Sequence, residues 1–140
     1  MTEPHIFPVR VYFEDTDSGG IVYYVNYLKF AERARTEMLR EVGIESGRLM
    51  QEEKIVLTVV NCNVNYLKPA LLDDALEIHS QISKVGGASL QGKQKIMRGN
   101  LELVDIHIRL ACMALNGRPS RLPYGLCSTL KSLCSSQIKE

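Results

Sequence analysis

Two carboxylates, Asp15 and Asp17, stand two residues apart and are followed at once by the glycine pair Gly19-Gly20 and then by a segment of helical periodicity. That arrangement suits hydrolysis. A helix N-terminus presents backbone N–H groups without intrahelical acceptors and the positive end of a dipole, both able to hold a carbonyl oxygen as charge develops on it. An aspartate beside it can attack the carbonyl carbon or take a proton from water. The competing reading is that both carboxylates merely stabilise a turn, since Asp is common in Asx-turns and at helix starts.

The flanking elements must position these groups. Phe7, Val9, Val11 and Phe13 alternate with Pro8, Arg10, Tyr12 and Glu14, the period of a half-buried strand that delivers Asp15 and Asp17 to its end. Gly19 and Gly20 allow a sharp or left-handed turn, and Asn26 is the expected N-cap of a helix. Tyr27, Phe30, Ala31, Ala34, Met38 and Val42 then recur at helical spacing, with Lys29, Glu32, Arg33, Glu37 and Arg40 largely opposite and Gly43 as the stop. The spacing predicts a helix from about Tyr24 to Val42, roughly 25–30 Å long. Glu32 and Glu37 read as solvated helix charges paired with nearby arginines.

Beyond the helix, Ser46 to Glu53 suggests a short helix. Val60, Cys62, Val64 and Tyr66 then alternate with Asn61, Asn63 and Asn65 as a strand that Lys68-Pro69 ends. Leu76, Ile78 and Ile82 mark the next strand, and Gly86-Gly87 reads as a tight hairpin turn with positive φ values leading into a strand from Ser89 to Met97. Gly99-Asn100 marks a second turn before a long strand from Val104 to Ala114. The tail from about residue 125, with Leu126, Leu130, Leu133 and Ile138, reads as a short, loosely held helix. The order describes one α+β domain over residues 1–140, a long helix wrapped by an antiparallel sheet. One helix cannot cover so large a sheet, so an uncovered face or edge is expected to meet a second copy, making a homo-oligomer.

Composition narrows the function classes. Seventeen Lys and Arg against sixteen Asp and Glu leave no large field for nucleic acid or for an anionic membrane. The start of the chain lacks the pattern of a signal peptide and no apolar run is long enough to span a bilayer, so the chain reads as cytoplasmic. Cys62, Cys112, Cys127 and Cys134 are scattered, as are His5, His79 and His107, which points to structural thiols and against a metal site.

The stretch EDTDSGGIVYYVNYLKFAERARTEMLREVGI (residues 14–44) resembles the opening of the hotdog-fold acyl-CoA thioesterases of the 4-hydroxybenzoyl-CoA thioesterase type, and within them the Tol-Pal system-associated group. The resemblance continues through NYLKPALLDDALEIHS (Asn65–Ser80) and the hairpin from Lys84 to Ile96. It implies a hotdog fold and sheets paired between two copies, often within a tetramer, so that each active site lies at the interface. It also implies hydrolysis of a short-chain aliphatic or aromatic acyl-CoA without a cofactor, coenzyme A being part of substrate and product. By the same likeness Asp17 is the catalytic nucleophile or general base, and the backbone N–H of Tyr24 polarises the thioester carbonyl.

Around this pair, Gly20, Ile21, Val22, Asn26, Asn65 and Tyr66 are candidates to line the substrate pocket. Lys68, Lys84, Lys93, Lys95 and Arg98 are candidates for the phosphates of coenzyme A, against the plainer reading of ordinary surface charge. An acyl carrier protein thioester is an alternative donor. Many of the Tol-Pal group carry histidine where this chain has Tyr24, which bears on substrate choice more than on the backbone donor. Two other functions compete: a hotdog module that binds acyl carrier protein or envelope-associated partners with little turnover, and a hotdog dehydratase. The dehydratase generally wants a histidine working with a carboxylate, and none lies between Asp17 and Asn26.

Overall fold

The computed structural model describes residues 3–134. Five strands form one antiparallel sheet in the order β1-β3-β4-β5-β2, with β1 at His5–Arg10, β2 at Ile55–Tyr66, β3 at Ala75–Val85, β4 at Ser89–Arg98 and β5 at Leu101–Ala114. Helix α1 (Asn26–Glu41) lies on one face. The fold is the hotdog expected from the sequence, a central helix held by an antiparallel sheet.

Alternation decides which face meets the helix. Leu76, Ile78, Ile82, Leu90, Ile96, Val104, Ile106, Ile108, Leu110 and Cys112 are buried on the even positions of the three central strands. Against them α1 sets Tyr27, Phe30, Ala31, Ala34, Met38 and Leu39. Ala31 and Ala34 are fully buried and short, so the helix axis approaches the sheet closely, while Phe30 fills the space beside them. Burying one such large side chain contributes about 2 kcal/mol.

The tail forms the short helix expected of it. Helix α3 (Tyr124–Leu133) buries Leu126 and Leu130, and Cys134 bridges to Ile82, so this segment is part of the helical layer and packs against β3. Ile138 lies outside the described residues. The layer over the sheet is therefore α1 extended by α3, with the short helix α2 (Ser46–Arg48) and the wider turn Leu49–Glu53 beside them.

The opposite face of the sheet is polar, which corrects any expectation of an apolar face left uncovered there. Its cross-strand rows read His79, Lys95, Asp105, Asn65 and Gln81, Lys93, His107, Asn63. His79 and His107 pair there with Glu77 and Asp105. Exposed apolar groups include Tyr24 and Leu28 about the start of α1 and Val59, Val60 and Tyr66 along β2.

Three local expectations are corrected. Strand β1 ends at Arg10, because Phe13–Asp15 forms a single turn of 3-10 helix and leaves Phe13 81% exposed. Gly86 and Gly87 do not take positive φ. The loop they begin is held by Gly86 N–H to Ser89 O at 2.8 Å, and a Cβ on Gly87 would stand 3.2 Å from the mobile end of the Arg121 side chain. Asn26 is the first residue of α1 and not its cap; Val25 holds that position.

Candidate active site

The loop after β1 gives the two aspartates different backbone partners. Asp15 accepts the Tyr12 N–H at 2.8 Å through Oδ2, while the Thr16 hydroxyl donates to Phe13 O at 2.8 Å. The Asp15 carboxylate thus holds its own turn through one oxygen. Asp17 lies further out, in a tight loop closed by a bridge between Thr16 and Val22. Its N–H donates to Ile21 O at 2.9 Å and its carbonyl accepts the Gly20 N–H at 3.0 Å, a geometry that Gly20 closes at φ +83°. The Gly19 N–H donates to Asp17 Oδ1 at 2.8 Å. Asp17 Oδ2 has no hydrogen-bond partner among the described residues, so one oxygen fixes the carboxylate and the other is available to water or a carbonyl carbon.

This loop is tied to the start of α1. The Asp15 carbonyl receives both the Tyr23 N–H at 2.9 Å and Asn26 Nδ2 at 2.9 Å, so Asn26 serves as a strap between loop and helix. The Tyr24 N–H finds no acceptor among the described residues. A free N–H at the positive end of a helix is the group needed to polarise a carbonyl. The Tyr24 carbonyl accepts the Tyr66 hydroxyl at 3.3 Å, and the two rings meet edge to face with centroids 6.0 Å apart. Tyr66 therefore stands against the helix start.

Other sequence candidates separate from it. Val22 is buried and anchors the loop through its N–H to Ala70 O at 2.9 Å, whereas Ile21 is partly exposed and bridges to Leu71. Asn65 belongs to the polar face of the sheet, where its amide donates to Asn63 at 3.4 Å. Lys84, Lys93 and Lys95 share that polar face, away from α1, and Lys95 pairs with Glu102 at 3.4 Å. Lys68 is exposed just after β2, while Arg98 is engaged internally.

Two positioning residues carried no signal of their own in the sequence. Tyr27, which helical spacing placed in the core, accepts the Ala70 N–H on its hydroxyl at 2.9 Å and so clips the segment that pairs with Val22. Asp74 accepts the Leu71 N–H at 2.8 Å and the Arg98 guanidinium at 2.6 Å through the same oxygen. Burial pushes the Asp74 carboxyl up, but the Leu71 N–H and Arg98 together outweigh it and hold the pKa below the usual carboxylate value. Burial raises the Tyr27 hydroxyl against an opposing pull from the Ala70 N–H, and the charge of Asp17 reaches it too. A cleft of about 460 Å³ lies between α1 and β2, walled by Val25, Leu28, Leu39, Leu49, Leu57 and Leu110, with Glu32 and Arg35 also on its lining but neither Asp17 nor Tyr24.

With the loop, the helix start and the cleft in place, comparison with known proteins assigns the family. Residues 19–104 match the model described as the thioesterase superfamily. The chain belongs to that superfamily. A Haemophilus influenzae protein named acyl-CoA thioesterase YbgC is 42% identical over 109 residues, 78% of this chain and 80% of its own. The acyl-CoA thioester hydrolase YbgC of Escherichia coli O6:H1 is 41% identical over 127 residues, 89% of this chain and 94% of its own. Among solved structures, a probable thioesterase from Bartonella henselae superposes with a TM-score of 0.82 at 37% identity, covering 86% of this chain and 99% of that one. No described helix of this thioesterase-superfamily member is long and apolar enough to cross a membrane.

Proposed function

We propose that the chain hydrolyses acyl-CoA thioesters, short-chain aliphatic or aromatic, to free acid and coenzyme A. Asp17 serves as nucleophile or general base and the Tyr24 N–H as donor to the carbonyl oxygen. The observation that carries this reading is the pairing of a carboxylate with one free oxygen and a helix start with a free N–H, joined through the Asp15 carbonyl. The thiolate of coenzyme A is a good leaving group, so a positioned oxygen and one oxyanion donor suffice; such a donor is worth about 3 kcal/mol in the transition state. In the nucleophilic route Asp17 Oδ2 forms an anhydride with the acyl carbon as the thiolate leaves, and water then cleaves the anhydride. In the general-base route Asp17 takes a proton from the attacking water.

The same reading has two copies paired along β2, completing the site. Strand β2 presents twelve residues as one outer edge of the sheet, with Val59 and Val60 exposed on it, and Tyr66 at its end touches the helix start. An unpaired apolar edge of that length is a template for pairing.

Thiol release from a panel of acyl-CoA esters, comparing the native chain with Asp17→Asn, tests the function. The variant is expected to lose at least about 100-fold in kcat with its fold and oligomer intact. Full activity in the variant removes Asp17 from the chemistry, and a native chain inert towards every ester removes the hydrolase reading.

A further inference from the structure

Ser80 and Gln94 are the buried polar residues of the described core, and they belong to one network. Gln94 Nε2 donates to Ala31 O at 2.8 Å and to the Ser80 hydroxyl at 2.9 Å. With both amide hydrogens placed, its Oε1 is left to accept from Arg35 Nη1 at 3.0 Å. A polar network inside a core is costly unless every member is satisfied, so this one has a purpose beyond packing. Its end product is an oriented guanidinium.

Arg35 is largely removed from solvent, and burial is the main cause that pulls its pKa down. No carboxylate stands within ion-pair distance of it among the described residues. Glu32, one turn earlier and exposed, acts on it through space and lines the same cleft. Of the five N–H donors of a guanidinium, one is engaged. Arg35 lines the cleft beside α1, whose other walls are chiefly aliphatic. A desolvated cation without a counter-ion is unfavourable until an anion reaches it.

We propose that this cleft holds the acyl chain of an aliphatic thioester ending in a carboxylate, and that Arg35 is the residue that selects it. The inference rests on the hydrolase reading above. Val25, the residue after the carbonyl donor, lines the cleft, and Arg35 lies roughly three turns further on, about 15 Å along the axis. Helical side chains lean back towards the N-terminus, so the guanidinium recovers about one turn and leaves room for a chain of roughly six to eight carbons. Guanidinium and carboxylate then meet through paired N–H···O bonds, which favour that end group over a methyl.

The test compares adipyl-CoA and suberyl-CoA with hexanoyl-CoA and octanoyl-CoA, using the native chain, Arg35→Met and Arg35→Lys. The native chain is expected to favour the carboxylate-ended esters at least tenfold in kcat/KM. In Arg35→Met that ratio collapses towards one, and Arg35→Lys recovers part of it. Equal treatment of both ester types by the native chain overturns the inference while leaving the hydrolase reading standing. Equal loss on both types in Arg35→Met, or an oligomer that falls apart in that variant, makes the arginine a structural or interface residue and overturns it as well. Should no ester be cleaved, equilibrium binding of adipyl-CoA and hexanoyl-CoA to Asp17→Asn, with and without Arg35→Met, decides by the same ratio.

Discussion

Asp17 keeps one carboxylate oxygen on the Gly19 N–H and the other unengaged, so its aim depends on a neighbour without a side chain. A Cβ placed on Gly19 would stand 3.3 Å from Asp17 Oδ1, a contact relieved only when the carboxylate moves by a few tenths of an ångström. Gly19→Ala is therefore expected to lower kcat by about tenfold with little change in KM, since small misplacements of a reacting group are costly. Steady-state thiol release beside a thermal melt checks this, and an unchanged Tm separates aim from stability. The sequence showed both aspartates and the helix beyond them, but not the donor that each carboxylate holds. Those donors, the Tyr12 and Gly19 N–H groups, belong to the backbone and have no side-chain signature.

At the level of elements, α1 and the segment Ala70–Asp74 form the frame on which the loop hangs. Tyr27→Phe leaves the Ala70 N–H without its acceptor in a buried setting and is expected to cost about 1–3 kcal/mol, read from urea unfolding. Asp74 adds a pH dependence of known sign. Its folded pKa is lower than its unfolded one, so its contribution is full above the unfolded value near pH 4 and is lost as pH falls through the folded value. Asp74→Asn should thus be clearly less stable than the native chain at pH 7, with the gap closing towards pH 3 in parallel unfolding curves.

Period-2 and period-3.6 patterns made β2 to β5 and α1 legible because half-buried elements repeat in the sequence. They failed where the pattern outran the element: Phe13 continues the β1 alternation, yet a local turn takes it out to solvent. In the tail Leu126 and Leu130 made the helix legible, but its burial depends on β3, which the surrounding serines and lysines do not reveal.

For the whole molecule, the proposed pairing of two copies rests on the exposed edge of β2. Val60 sits at the irregularity between Val59 and Asn61 and is 44% exposed, so Val60→Lys is expected to leave the protomer folded while splitting the oligomer and abolishing most thiol release. Light scattering on a sizing column, beside circular dichroism, checks both halves of that outcome. The strand order has a further consequence in time. The three central strands, β3, β4 and β5, join through short hairpins, whereas β1 and β2, made earlier, take the two outer places. A chain leaving the ribosome therefore carries Asp17, α1 and the long β2 before any strand exists to receive them. The nascent first half must stay unpaired, with its apolar residues open to chaperones, until the meander behind it is complete.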